Sequence, residues 1–142
     1  MKHTNMVGDK KNFIVKIGKD INTQDIDEMH TLLNWENYRS DQWPVIKKQS
    51  TFMVQVLIGK KTIGFARCVD DTEMCMIYDV VVHPDHQKKG IGTILMNEIL
   101  KYVKTQNFAS VSLFYYIKNK GLDSFYRKFG FEIVPNAMRL KK

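Results

Sequence analysis

Apolar and polar positions first alternate at Phe13, Val15 and Ile17, set against Ile14, Lys16 and Gly18, which predicts a short strand ended by glycine. Over residues 23–33 the period lengthens to that of a helix. Ile26, Met29, His30 and Leu33 share one stripe, and Asp25, Asp27 and Glu28 fall in the early turns, where the helix dipole favours acids. An aromatic loop with Trp35, Tyr38 and Trp43 follows, and Ser40 or Asp41 is placed to cap a second helix running through Ser50. The pattern then turns to β. Residues 52–58 and 62–69 flank Gly59-Lys60-Lys61, and 74–83 follow Asp70-Asp71-Thr72-Glu73, three strands of a meander that Pro84 stops. A helix opens after Gln87-Lys88-Lys89-Gly90-Ile91-Gly92, with Ile94, Leu95, Ile99, Tyr102 and Val103 as its apolar stripe. A strand over 110–116 comes next, then a helix in which Leu122, Phe125, Tyr126 and Phe129 recur before Gly130, and a last strand over 131–134.

No linker, repeat or low-complexity tract interrupts these elements, so the 142 residues read as one domain of ordinary globular composition, 44% hydrophobic and 26% charged. No apolar run approaches the roughly 18–20 residues that span a bilayer. The first residues lack the apolar core of a signal peptide, which makes the cytosol the expected location. Cys68 and Cys75 match no zinc or redox spacing and are expected as reduced thiols, facing each other across neighbouring strands if the 70–73 turn is tight.

The net charge of +7 is unevenly spread: residues 1–85 carry 11 Lys/Arg against 12 Asp/Glu, and residues 86–142 carry 11 against 3. A basic final third suits a nucleic acid or one polyanionic small molecule. Gly90 and Gly92 at the mouth of a helix leave backbone N–H groups uncovered beside the positive end of the dipole, an anion cradle for which pyrophosphate is the obvious guest. Their spacing is too short for a dinucleotide fingerprint, and the lysines precede the glycines, so this is neither a GxGxxG turn nor a Walker loop.

Taken together, Asp79-Val80-Val81-Val82-His83-Pro84, Gln87-Lys88-Lys89-Gly90-Ile91-Gly92, Asn119 and Phe125-Tyr126-Arg127-Lys128-Phe129-Gly130-Phe131 resemble the GNAT superfamily of acetyl-CoA-dependent N-acetyltransferases. The motifs cover residues 74–134, and the order of the preceding elements extends the resemblance over nearly the whole chain. It implies an α/β fold: a mixed, mostly antiparallel sheet flanked by about four helices and splayed between the fourth and fifth strands to admit acetyl-CoA, in a single N-acetyltransferase domain over 1–142. By the same resemblance, the backbone of Val80 and Val82 pairs with the pantetheine arm. Gln87, Lys88, Lys89, Gly90, Ile91, Gly92 and Thr93 hold the pyrophosphate, and Asn119 hydrogen-bonds the cofactor arm. Tyr126 matches the tyrosine beside the cofactor sulfur and is the general-acid candidate. Asp79 matches an acidic position and is the candidate base for the acceptor amine, with a water chain or a structural hydrogen-bonding role as its alternatives.

The implied reaction is direct transfer of acetyl to a primary amine in a ternary complex, with no metal. Val80 N–H is placed to stabilise the oxyanion. Trp35 and Tyr38 are either core beneath a loop or a lid that binds substrate. The implied partner is a small-molecule amine, with no membrane and less call for nucleic acid, and open strand edges make a homodimer an expectation. The alternatives are an acceptor on aminoacyl-tRNA, an amino-sugar phosphate and a non-catalytic acyl-CoA-binding regulator. Asp79-Val80-Val81-Val82 is similar to glucosamine-phosphate acetyltransferases, but Tyr78 replaces their neighbouring acid. A regulator would have no need of Tyr126.

Overall fold

The computed structural model describes residues 3–8, 11–35, 40–115, 119, 121–135 and 138–141. Strands β1 (His3–Gly8), β2 (Lys11–Ile17), β3 (Phe52–Ile58), β4 (Lys61–Asp70), β5 (Met74–Val82) and β6 (Ser110–Leu113) lie in one sheet in chain order. Every neighbouring pair is antiparallel except β5 and β6, which run parallel. Helices α1 (Thr23–Leu32) and α2 (Trp43–Gln49) cover one face, and α3 (Ile91–Lys104) and α4 (Leu122–Arg127) the other.

Strand alternation decides which side chain meets which helix. Met53 and Phe65 point to Ile26, Met29 and Trp43 of α1 and α2. Val54, Val56, Ala66 and Cys68 point the other way, to Ile91, Leu95, Met96 and Ile99 of α3. Gly64 lets α3 lie close to β4, since a Cβ there would stand 2.6 Å from Ile91 Cγ2. The acids expected to favour the dipole of α1 also fasten it to the sheet. Asp25 accepts the Thr62 N–H at 2.8 Å and pairs with Lys61 at 3.0 Å, Glu28 pairs with the same lysine, and Asp27 accepts Trp43 Nε1–H at 2.8 Å.

Several elements differ from expectation. β1 precedes the predicted first strand, where His3, Thr4 and Asn5 give no apolar alternation, so the expected fourth and fifth strands are β5 and β6. Neither Ser40 nor Asp41 caps α2; both lie in a 3₁₀ turn, and Pro44 in the first turn supplies the helical φ instead. Asn22 caps α1, its side chain accepting the Asp25 N–H at 3.2 Å. Residues 131–135 form no strand: Phe131 folds back on Tyr126, with ring centroids 6.1 Å apart and its N–H donating to Tyr126 O. Cys68 is paired with Ile77 and Cys75 with Asp70, so the buried free thiols are diagonal on one face and hydrogen-bonded, not directly opposed.

Candidate active site

Pairing between β5 and β6 runs from Met74–Ser110 to Ile77–Leu113 and stops, so the sheet forks at Tyr78. On its other side β5 stays paired with β4, but the register shifts between Phe65 and Arg67. Phe65 faces Val81 and Arg67 faces Tyr78, which leaves Asp79 and Val80 both opposite Ala66. This is a β-bulge, and Asp79 takes the left-handed φ of +55° that the extra residue demands. The bulge keeps Tyr78 and Asp79 on the α1/α2 face and returns the Val80 and Val82 side chains to the α3 core.

Beyond the bulge, the His83 N–H donates back to Ile63 O of β4 at 2.9 Å. By alternation, the polar backbone groups of Val82 and Val80 then turn away from β4, into the fork. Gln87 Nε2 donates to Val82 O at 3.2 Å, tying the following loop to the same edge.

That loop delivers α3 to the mouth of the fork. A 3₁₀ turn over Pro84–His86 is capped by His83 Nδ1, which accepts the Asp85 N–H at 3.2 Å. Lys88 at φ +58° and Gly90 at φ +83° are both left-handed, and Lys89 Nζ donates to Asp85 O at 2.6 Å. The first helical bond runs from the Ile94 N–H to Gly90 O at 3.0 Å, so the N–H groups of Ile91, Gly92 and Thr93 lie ahead of the ladder, and no side chain caps them. A Cβ on Gly90 would meet nothing within 4 Å, so the chain is uncrowded at that point of the turn. Gly92 has a different reason: its missing Cβ would lie 3.1 Å from Phe125 Cζ, and it admits α4 against α3.

The two proposed catalytic side chains lie on opposite faces with the fork between them. Asp79 Oδ2 accepts from Arg67 Nε at 2.5 Å, both side chains nearly buried, and Arg67 Nη1 donates to Ser50 Oγ at 3.3 Å. The guanidinium also covers the Tyr78 ring, 4.8 Å from its centroid. Tyr126 is buried in the α3-side core among Tyr115, Phe125 and Phe131, and burial pushes its phenol up to about 12. The phenol is therefore a proton donor throughout the physiological range.

The remaining expected residues are placed as follows. Val80, Val82 and Gln87 to Thr93 converge at the fork and its mouth. Asn119 is exposed, and its carbonyl accepts the Gly121 and Leu122 N–H groups at 2.9 and 3.3 Å, opening α4. Trp35 stacks on His30 at 5.1 Å and packs on the α1-side core, while Tyr38 lies outside the described residues. Arg67, Ser50 and His30 were not anticipated. Arg67 had a signal, the one charge within the run from Thr62 to Val69; His30 had none, since it sits on the apolar stripe of α1 like any core residue. Burial lowers the His30 pKa despite the opposing charge of Asp79, so the ring favours its neutral form. Among the described residues, no three His, Cys, Asp or Glu side chains are grouped to hold a metal ion, and no helix is long and apolar enough to cross a membrane.

Comparison with known proteins places this geometry among acetyltransferases. The profile of the acetyltransferase (GNAT) family matches residues 19–131. Over 126 residues the chain is 26% identical to an uncharacterised N-acetyltransferase, ycf52, of Porphyra purpurea, across 85% of this chain and 71% of that protein. The fold is similar to that of a GNAT-family acetyltransferase, SP0256, from Streptococcus pneumoniae TIGR4, with a TM-score of 0.77 and 24% identity over 92% of this chain and 98% of that one. It is also similar to AAC(6')-Iy, solved with the bisubstrate analogue CoA-S-monomethyl-acetylneamine, with a TM-score of 0.72 and 12% identity over 92% and 97% of the two chains.

Proposed function

The chain belongs to the GNAT acetyltransferase family, and from that premise we propose that it transfers acetyl from acetyl-CoA to a primary amine by direct attack in a ternary complex. One observation carries the reading: the sheet forks at Tyr78, and the loop that leads into the uncapped start of α3 is tied to the open edge of β5 by Gln87 Nε2 donating to Val82 O. The uncapped N–H groups at the start of α3 suit a pyrophosphate, and the backbone of Val80 and Val82 offers the edge along which an extended arm pairs, as an added strand would. The CoA-linked analogue held by AAC(6')-Iy supports the same choice of donor. Acetyl-CoA supplies an activated thioester; the chain's own residues do the rest.

Asp79 is the anion beside the fork. It attracts the protonated amine and takes its proton, directly or through a water chain, so that the lone pair is released for attack. Arg67 holds the carboxylate in place from the sheet side. Val80 N–H is the donor for the oxyanion, a contribution on the order of 3 kcal/mol when one such bond is preorganised. Tyr126, fully protonated, donates its proton or a hydrogen bond to the departing thiolate. The buried thiols of Cys68 and Cys75 take no part and suit a reducing cytosol. Thermal melts with acetyl-CoA, followed by thiol-release assays over an amine panel, test the reading. A melting point unmoved by saturating acetyl-CoA would overturn it.

A further inference from the structure

The α1/α2 face is roofed only in part. Those helices lie over Met53 of β3, Phe65 of β4 and Val81 of β5. Toward the start of β5 the same face is open: Met74 is 49% exposed, Tyr78 39% and Phe114 71%. Register puts Met74 beside Ser110 and Met76 beside Ser112, and the two serine hydroxyls meet at 3.3 Å, which confirms that they share a face. Met74, Met76 and Tyr78 thus form a strip about 13 Å long on the strand rise, which ends at the fork beside Asp79.

We propose that this strip seats the body of the acceptor, and that the acceptor is a primary amine on an extended apolar chain, alkyl or arylalkyl, with its nitrogen at Asp79 and its tail running along β5 toward Met74. The inference rests on the acetyl-transfer reading. Two observations favour this substrate class. The strip is continuous with the fork, so a molecule whose amine sits at Asp79 has Tyr78 and then Met76 as its next surface. Among the described residues, Met74, Met76, Tyr78 and the neighbouring Ser110 and Ser112 bring no carboxylate to the strip to hold the further ammonium groups of a polyamine or an aminoglycoside. At the far end, Asp71 caps its own turn by accepting the Glu73 and Met74 N–H groups at 3.1 and 2.8 Å. Unbranched methionines adapt to tails of different shape. A second copy of the chain is a poorer occupant. A few exposed side chains make a patch of a few hundred Å² at most, short of the roughly 600–1,000 Å² per partner that a stable dimer buries.

The test is a series of n-butylamine, n-hexylamine and n-octylamine, with phenethylamine, spermidine and glucosamine, assayed for thiol release at saturating acetyl-CoA. The expected result is kcat/KM rising about two- to fourfold per added methylene up to octylamine, with spermidine and glucosamine well below it. Met74→Glu should flatten that rise while keeping the wild-type melting shift with acetyl-CoA, which shows the fold and donor site intact. Transfer with a flat series, or a preference for spermidine or glucosamine, overturns the strip and leaves acetyl transfer standing. Transfer to no amine at all overturns both. A dimer in sedimentation that Met74→Glu dissociates also overturns the proposal, because the strip is then an interface between copies.

Discussion

Arg67 and Asp79 are partners only because β5 bulges: one residue fewer between Tyr78 and Val81 would send the Asp79 carboxylate to the α3 face, away from the guanidinium that now holds it at 2.5 Å. The bulge therefore builds the fork's acidic side and its support in one step.

Breaking this pair should cost stability and turnover by separable routes. Asp79→Asn leaves a nearly buried guanidinium without its counter-charge and is expected to destabilise the fold by about 3–5 kcal/mol. Adding Arg67→Met should restore part of that, less the lost packing on Tyr78. Turnover should stay about 10²–10⁴-fold down in the double variant, because the proton acceptor is still missing. Urea melts of both single variants and the double, with kcat/KM below each melting point, check this; turnover recovering with stability would make Asp79 purely structural.

Gly90 and Gly92 should fail differently. Gly90→Ala places a Cβ in open space but at φ +83°, so the apo fold should lose about 1–2 kcal/mol of stability to backbone strain, with the acetyl-CoA melting shift reduced. Gly92→Val drives side-chain atoms into Phe125 and should lower the apo melting point by more, before any ligand is added. Calorimetry with and without acetyl-CoA separates the two effects.

Tyr126→Phe keeps the ring among Phe125, Phe131 and Tyr115 and should leave acetyl-CoA affinity little changed, while kcat falls roughly 10- to 1000-fold. Because the folded phenol ionises only near 12, against 10.0 for an exposed tyrosine, it should contribute no alkaline limb to the rate profile below about pH 11. The same displacement predicts a stability slope. Above pH 10 the unfolded chain releases a proton that the folded chain retains, so stability should fall between about pH 10 and 12, by on the order of 2–3 kcal/mol. Tyr126→Phe should lack that part of the slope in denaturant melts taken at each pH.

Cys68 and Cys75 should both be recovered as free thiols when freshly lysed cells are alkylated under denaturing conditions. Native alkylation should be slow at both, since burial and the shared hydrogen bond raise the Cys68 thiol and the sheet shields its partner. Mass spectrometry that finds the pair already joined would contradict this.

What could be read in advance was whatever depends on period and on local chain chemistry. The strand over 52–58 was legible to the residue, because Phe52 to Ile58 is an apolar and β-branched run, broken only by Gln55, and closed by Gly59. The uncapped start of α3 was legible because Gly90 supplies a left-handed turn there and no capping side chain. What was not legible depends on pairing. β1 carries no apolar rhythm, and its only credential is the ladder it forms with β2. The Arg67–Asp79 bond needs a register shift that no single strand announces, and Gly92 acquires its packing role only once α4 has brought Phe125 across.

Strand order in this sheet follows chain order from β1 to β6. Every ladder therefore joins segments that leave the ribosome one after the other, and only the β2–β3 and β5–β6 pairings must wait for helices between them. Such a topology has modest contact order and favours quick folding from the β3–β4–β5 meander outward. It also means that the fork follows the sheet that bears it: the first five strands can assemble while β6 and the Tyr126 helix are still being synthesised, and the fork forms only when these arrive.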